Sequence, residues 1–419
     1  MKKISPIILP LLLLTVMASC RKEPLELNNP AQIYCKTYVQ QFEALWHGMD
    51  QSYLFWDIDT IDWDARYTEC LPLFQALDSR GDAVTQEEYQ QACEQLFRGL
   101  TDHHLQMRVK SPRNEGLRVT FSPSSEELHN RSGYHSGWDE RSLEFSALKN
   151  MDGVLQYAIW DDDDRHTSIR SAFALIEGRE GRKIAYFRFN SFDLYSMWEN
   201  RDKIKKNALE PIKKFYGSDF GNGIHFDGTY GWAGSPDVEA VIIDLRGNGG
   251  GYVRDVTPFI GSLLQQDYHW GYSRVKEGIG RLDYSAWTEY WIKAHGNHIA
   301  DGKRIVVLAD CNSASCSEIS TQTLKGQPNG TFIGERTCGA TCPLVDISQD
   351  MFYSGIFGDE NLSSLNYYVY TSYMYCVGQD RQSFEGRGIT PDIEVPFDRA
   401  ALDRGHDTQL ERAVAFLKE

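Results

Sequence analysis

The sequence has little positive charge for its length. Its 419 residues include 43 Lys and Arg against 59 Asp and Glu, which gives a formal net charge of -16. A surface of this charge repels polyphosphate, so nucleic acid is not expected as a partner. Beyond the N-terminal segment the chain lacks an apolar run long enough to cross a bilayer, and it has no Cys-x2-Cys pair. The composition is that of an acidic globular protein with two or three domains.

The N-terminus has the pattern of an export signal. Two lysines precede an apolar stretch over residues 4–18, which is too short to span a membrane but fits a signal peptide. The run from Val16 to Cys20 resembles a bacterial lipobox, whose Cys is diacylated and becomes the new N-terminus. We predict a signal peptide over residues 1–19, a lipid anchor at Cys20 and a tether over 20–29, with ordinary cleavage near Ser19 as the alternative. The predicted location is that of an exported bacterial lipoprotein, in the outer membrane facing the periplasm or at the cell surface.

The cysteines after Cys20 permit disulfides but do not assign them. Their number is eight, and an even count in an exported protein leaves the pairing open. Cys311, Cys316, Cys338 and Cys342 raise the alternative of a zinc site, but their spacings differ from the tight form. We therefore expect no metal and no organic cofactor.

Three regions follow the tether. Residues 30–110 carry apolar residues at helical spacing and predict a helical N-terminal domain, with a first helix from Pro30 and a second that Pro72 breaks or kinks. Residues 111–176 are predicted to be a β-rich middle segment. Residues 177–419 contain two buried strands, each followed by a loop and a helix. This repeat indicates an α/β core with a parallel sheet.

Two loops of that core carry the candidate chemistry. Ser315-x-x-Glu318 has the form of a capping box, so the local pattern favours a Ser that only caps a helix. The same position lies beside unpaired amides and the positive end of the helix, which suits a nucleophile. In the other loop Gly249-Gly250-Gly251 lets the backbone approach a ligand and offers amides to it. No Lys-Ser/Thr follows these glycines, so a phosphate-binding loop is not indicated.

Four ordered motifs resemble those of the C-terminal-processing (tail-specific) serine peptidases, a group that includes the tricorn protease core. They lie at 243–251, 313–319, 334–337 and 385–392, and with a closing segment at 407–410 they cover about residues 180–419. The segments 42–64 and 100–104 are similar to exported, lipoprotein-type members. The resemblance implies a ClpP/crotonase-like core, a nucleophile at Ser315 and no cofactor. Residues 111–176 lack the Gly loop of the PDZ domain that many members carry, so no clear PDZ domain is expected.

The catalytic base departs from the commoner branch of that family. Ala340 stands where that branch has its Lys, so a Ser–Lys dyad is absent. A His with a pKa near neutrality can take the Ser proton, and His104 matches the tricorn-like branch, with His103 as the alternative. The resemblance makes Glu385 the acid that orients the His, with a surface carboxylate as the alternative reading. The middle hydroxyl residue of that relay falls at His103, so Asp102 is a second candidate for stabilising the imidazolium.

The remaining site prediction concerns the oxyanion. We expect the backbone amides of Gly250 and Cys316 to donate to it, and we keep the Cys316 thiol as an alternative nucleophile. The predicted function is a membrane-anchored serine endopeptidase that hydrolyses peptide bonds in extended segments of protein or peptide substrates. The alternative, favoured by Ala340, is a catalytically inactive peptide- or ligand-binding lipoprotein with the same fold.

Overall fold

A computed structural model describes residues 33–131, 134–135, 137–217, 231–296, 298–344 and 354–419. The predicted signal peptide, the Cys20 anchor and the tether lie outside these residues. Among the helices described, none combines the length and the apolar composition that crossing a membrane requires. All eight cysteines after Cys20 are buried free thiols.

The described helices are mostly short. They are α1 (Tyr38–Ser52), α2 (Trp63–Arg80), α3 (Gln86–Phe97), α4 (Pro123–Asn130), α5 (Gly137–Asn150), α6 (Leu194–Glu199), α7 (Glu210–Tyr216), α8 (Val256–Phe259), α9 (Cys316–Lys325), α10 (Arg399–Asp403) and α11 (Thr408–Lys418).

The described strands form three sheets. They are β1 (Gln106–Lys110), β2 (Arg118–Phe121), β3 (Val154–Trp160), β4 (Ser171–Glu177), β5 (Lys183–Phe189), β6 (Val238–Asp244), β7 (Tyr268–Val275), β8 (Thr288–Ile292), β9 (Arg304–Ala309), β10 (Gly330–Gly334), β11 (Ile356–Gly358), β12 (Tyr367–Tyr370), β13 (Met374–Gly378) and β14 (Ile393–Glu394). The largest sheet has the order β14-β10-β9-β6-β5-β4-β3, and the two smaller ones are β11-β12-β1-β2 and β13-β7-β8.

The predicted α/β core with a parallel sheet is confirmed. From β14 through β10, β9 and β6 to β5 every neighbouring pair is parallel, whereas β4 and β3 add antiparallel strands at the other edge. Successive β6 side chains enter two different apolar clusters, because alternate residues of a strand face opposite sides of its sheet. Parallel strands share one carboxyl edge, so the loops after β6, β9 and β10 meet there.

The N-terminal helices form, with one change at the start of the first. The prediction begins that helix at Pro30, which lies outside the described residues, whereas the described residues 33–37 are not helical and α1 begins at Tyr38. Thr37 supplies the N-cap, and its side chain accepts from the Gln40 amide. Pro72 lies inside α2 without ending it. Only one backbone N–H is lost there, and the buried face of α2 continues past it through Phe74 and Leu77.

The predicted middle segment is not a separate β-rich unit. Its boundary with the core, between residues 176 and 177, falls inside β4, which pairs with β5 along its whole length. The segment also contains the helices α4 and α5. The N-terminal region is likewise joined to the C-terminal part, since β1 pairs with β12. The first boundary is crossed by a pair of strands that are neighbours in sequence, and the second by a pair that lies more than 250 residues apart, which local patterns do not show.

A buried ion network fixes the loop after β6 to the C-terminal helix. The Arg246 guanidinium donates to both carboxylate oxygens of Asp407, with both N–O distances 2.8 Å, and also to Asp244. Glu144 of α5 lies 3.5 Å from the same guanidinium. The charges of Arg246 and Arg188 hold the pKa of the Asp244 carboxyl down at about 2, although burial alone would raise it. The closing sequence segment therefore positions the glycine loop.

Candidate active site

Ser315 stands in a strained turn directly before α9. Its backbone has φ 57° and ψ -121°, a region that residues other than glycine rarely adopt. Its side chain makes no hydrogen bond that caps the helix, so the locally favoured reading of Ser315 as a cap is wrong. Its amide donates to the Ala340 carbonyl at 2.8 Å. The Ser315 hydroxyl therefore lies at the start of α9 without capping the helix, which leaves it available as a nucleophile.

The glycine loop after β6 lies against this turn. Gly250 has φ +98°, and a Cβ built on it would lie 2.6 Å from the Ser315 Cβ and 3.0 Å from the Cys316 nitrogen. Only glycine fits so close to the candidate nucleophile. The Gly250 amide, however, donates to the Asn248 side-chain oxygen at 2.8 Å. Its predicted role as an oxyanion donor requires that this bond lengthen or become shared, and it stays a prediction.

Cys316 contributes two groups of different character. Its amide is the first of α9, where helix amides have no acceptor within the helix. Its thiol donates to the Gly251 carbonyl at 3.1 Å, and burial raises the thiol pKa to about 12, although a hydrogen bond with Ser315 acts the other way. The thiol is thus protonated at neutral pH, which makes it a poor nucleophile.

His103 and His104 lie on the turn between α3 and β1, as the sequence predicts. Burial, followed by the neighbouring His103 charge, lowers the pKa of His104 to about 4, so its imidazole is neutral at physiological pH. Its Nδ1 is buried and has no hydrogen-bond partner among the described residues. By contrast, the Nδ1 atom of His103 lies 3.1 Å from the carbonyl oxygen of Cys338.

Glu385 is buried, contrary to the reading of it as a surface carboxylate. It is 2% exposed, and its Oε1 accepts the His103 amide at 2.9 Å. Its Oε2 accepts the amides of Thr341 and Cys342 at 2.8 and 2.9 Å. Burial, followed by the nearby Cys342 and Asp102, raises its pKa well above the usual range. Glu385 therefore joins the turn that carries the two histidines to the loop beside Ser315.

Asp102 is the second buried acid at this site. Its oxygens accept the His104 amide at 2.9 Å and the Ser372 amide at 2.8 Å. Burial raises its pKa to about 6, against the effect of these hydrogen bonds. A carboxylate oxygen of Asp102, a ring nitrogen of His104 and a carboxylate oxygen of Glu385 all lie within 4.8 Å of one another. Both predicted acids thus lie close enough to the imidazole to stabilise its protonated form.

Glu318 is a residue whose role the sequence did not reveal. It is fully buried in α9, one turn after Ser315, and accepts the amides of Gly339 and Ala340 at 2.8 and 2.6 Å. Burial raises its pKa to about 7, although these bonds act against the rise. Glu318 fixes the loop that contains Ala340, and the Ala340 carbonyl in turn holds Ser315. Its position three residues after Ser315 is the available signal in the sequence, but the same spacing also fits half of a capping box.

A cavity of about 720 Å³ opens beside Glu385. Its lining includes Leu100, Thr101, Tyr375, Glu385 and Gly386, whereas Ser315 and His104 do not line it. The cavity therefore adjoins the candidate site through Glu385 and does not open directly onto Ser315 or His104.

A Ser at a helix start beside a glycine loop, connected through the Ala340 loop and Glu385 to the turn with a neutral His, has the groups that serine hydrolases use. The model of peptidase family S41 matches residues 183–395, half of the chain, and the chain belongs to that family. The protein is accordingly a serine-type peptidase, as the sequence predicts. The model of the tricorn protease C1 domain matches residues 35–85, which supports the tricorn-like part of the resemblance.

Solved structures share the fold over most of the chain. A candidate peptidase from Parabacteroides merdae ATCC 43184 is 18% identical, with a TM-score of 0.59, and the match covers 91% of this chain and 97% of that one. Mature CPAF is 12% identical, with a TM-score of 0.56, over 92% of this chain and 97% of its own. At these identities the likeness concerns the fold.

Proposed function

We propose that this serine peptidase is a membrane-anchored endopeptidase in which Ser315 is the nucleophile and His104 the base. The observation that carries the proposal is one continuous set of hydrogen bonds through the backbone and the Glu385 side chain. The Ser315 amide bonds Ala340, the next residue Thr341 bonds Glu385, and Glu385 bonds the amide of His103. A loop that lies beside Ser315 thus connects directly to the turn that carries His104.

The proposed chemistry follows acyl transfer. The Ser315 oxygen attacks the peptide carbonyl while its proton passes to His104, and the amides of Cys316 and Gly250 donate to the oxyanion that forms. The C–N bond then breaks, and His104 returns the proton to the leaving amine. Water attacks the acyl-enzyme by the reverse proton path and frees Ser315. A neutral His104 is ready to accept the first proton, and Glu385 and Asp102 stabilise the imidazolium.

The test is cleavage of an unstructured peptide library by the full chain in detergent, read by mass spectrometry. Ser315→Ala and His104→Ala should each lower the cleavage rate by at least about 10³-fold. Cys316→Ala is the matched control for a thiol nucleophile and should keep most of the activity, because that thiol is buried and protonated. If His104→Ala retained activity while Ser315→Ala did not, the base would be another group, with His103 first.

A second function, that of an inactive binding lipoprotein, is favoured by two observations. Ala340 replaces the Lys of the commoner branch, and the Gly250 amide is already bonded to Asn248. A wild-type chain that bound peptides from the library without cleaving them would support this function over the endopeptidase.

The anchor is proposed from the sequence alone. Diacylation of Cys20 would place the domain in the outer membrane, facing the periplasm or the cell surface. Metabolic labelling with a fatty acid should mark the wild-type chain, and Cys20→Ser should lose the label and move to the soluble fraction. Labelled Cys20→Ser would contradict the anchor, and protease treatment of intact cells would distinguish the two faces.

A further inference from the structure

A second cluster of potential ligands lies outside the catalytic candidates, at the carboxyl edge of the large sheet. Cys311 follows β9 and Glu335 directly follows β10, and these strands are parallel neighbours whose last residues, Ala309 and Gly334, are paired. His135 reaches the same edge from the segment between α4 and α5. One ligand atom from each of His135, Cys311 and Glu335 lies within 4.8 Å of the others. Three different elements thus bring nitrogen, sulfur and oxygen ligands together.

Asp310 lies beside this cluster, next to the imidazole. Its Oδ2 lies 4.0 Å from the His135 Nε2, which is also 3.0 Å from a Glu335 carboxylate oxygen. The other Asp310 oxygen accepts the amides of Gly247 and Asn312 at 3.1 and 2.9 Å. These bonds orient the carboxylate and leave Oδ2 directed at the imidazole.

The side chains of the cluster are largely shielded from solvent, and contacts with Phe397 fix two of them. Cys311 is 3% exposed, and the His135 ring stacks on Phe397 with 3.9 Å between ring centroids. The second Glu335 oxygen accepts the Phe397 amide at 3.2 Å. The His135 side chain is 10% exposed, and its Nδ1 is buried without a hydrogen-bond partner among the described residues. The other ring nitrogen, Nε2, faces the carboxylates of Glu335 and Asp310, so it is the nitrogen available to an ion bound beside them.

We propose that His135, Cys311 and Glu335 bind a divalent transition-metal ion of the zinc class. A set of one imidazole, one thiolate and one carboxylate, with a fourth position left to water, suits zinc, whereas Mg²⁺ and Ca²⁺ prefer oxygen alone. The zinc site that the sequence raises as an alternative consists of Cys311, Cys316, Cys338 and Cys342, and the sequence otherwise predicts no metal. The three ligands here come from separated segments, and only Cys311 belongs to that set.

Without a metal ion, a proton holds the same cluster together. Burial alone would lower the pKa of His135, but hydrogen bonds with Cys311 and Glu335 and the charge of Asp310 raise it to about 10. A metal ion would replace the attraction between the imidazolium and the carboxylates, and the imidazolium and thiol protons would pass to solvent. The same side chains are joined in both states, so the test must detect the ligands themselves.

The proposed site adjoins the nucleophile loop. Asp310 and Cys311 begin the loop that leads to Ser315, and Asp310 also bonds the glycine loop through Gly247. A bound ion would tie this loop to the end of β10 and to the His135 segment. Metal binding is therefore expected to raise the thermal unfolding midpoint of the full chain.

The experiment uses the full chain, stripped with a chelator and titrated with Zn²⁺ or with Co²⁺ as a spectroscopic probe. We expect one ion per chain and, with Co²⁺, a thiolate charge-transfer band together with tetrahedral d–d bands. Cys311→Ser should remove the charge-transfer band and weaken binding at least about tenfold. Glu335→Gln keeps an acceptor for the Phe397 amide, so it tests the site with less risk to the fold, and it should also weaken binding.

Two control variants locate the ion. Cys70→Ala removes a buried thiol in α2 and should leave the cobalt spectrum unchanged. His104→Ala disrupts the Asp102–His104–Glu385 group and should leave the stoichiometry at one. The proposal is overturned if neither metal binds, if the cobalt spectrum survives Cys311→Ser, or if His104→Ala rather than Cys311→Ser abolishes binding.

Discussion

Glu385 accepts the backbone amide of His103 at 2.9 Å, across 282 positions of sequence. The same carboxylate accepts the amides of Thr341 and Cys342 with its other oxygen. Glu385 thus accepts hydrogen bonds from the backbone of both the histidine turn and the loop after Ala340. Its proposed part in catalysis is to position the histidine turn and to stabilise the charge that His104 acquires.

Replacing Glu385 with Gln tests this positioning. The amide group of Gln places N–H donors against the donor amides of Thr341 and Cys342, so one side of the network is lost. We expect a loss of about 1–3 kcal/mol in the free energy of unfolding, measured by urea denaturation, together with a lower kcat. Glu394→Gln, an exposed change of the same chemistry in β14, should alter neither. Unchanged stability in Glu385→Gln would contradict the network.

Glycine at position 250 is required by the closeness of Ser315. Gly250→Ala places a Cβ 2.6 Å from the Ser315 Cβ at a φ of +98°, so the nucleophile turn must move. We expect kcat/KM for peptide cleavage to fall by at least about 10²-fold. Gly249→Ala is the matched control, because no atom lies within 4 Å of its added Cβ. Equal activity in the two variants would show that the glycine loop does not form the site.

The pH profile reports the protonation of His104. Its pKa is lowered to about 4, so the imidazole is neutral and able to accept a proton above that pH, and it becomes charged and inactive below it. We expect the acid limb of kcat/KM to have its midpoint near pH 4 rather than near the ordinary value of about 6.5. A midpoint near 6.5, measured where circular dichroism shows the chain folded, would argue against His104 as the base.

The buried pair of Arg246 and Asp407 is expected to matter for stability. Arg246→Met removes the cation that contacts Asp244, Asp407 and Glu144 together and leaves Arg188 beside only Asp244 and Glu144. Removing one partner of a buried ion pair costs about 3–5 kcal/mol. Urea denaturation measures the change. Arg412→Ala breaks an exposed ion pair on α11 and should cost under about 1 kcal/mol. Similar values for both variants would contradict the structural role of Arg246.

Local sequence patterns were sufficient for the elements of the core. The continuous apolar runs that became β6 and β9 and the loops that follow them specify buried parallel strands, because no other element buries such short segments on both sides. Thr85-x-x-Glu88 also has the form of a capping box and does form one, since its hydrogen bonds join residues only three apart. The order of the motifs was enough to predict the family.

The same local patterns gave the wrong hydrogen-bond partners where a side chain or an amide bonds to another segment instead of its own helix or turn. Ser315-x-x-Glu318 has the form of a capping box, yet the side chain of Ser315 caps nothing and Glu318 bonds the loop that contains Ala340. The amide of Gly250 is bonded to Asn248, a contact that no spacing rule in the glycine run foretold.

The sequence by itself determined the parallel core, the family and the identity of the groups able to do chemistry. Only the tertiary structure decided which of them meet: Glu385 with the His103 amide, Arg246 with Asp407, and His135 with Cys311 and Glu335. The reason is physical. Periodicity and capping depend on neighbours within a few residues, whereas burial and charge pairing depend on which distant segments the sheet edge brings together.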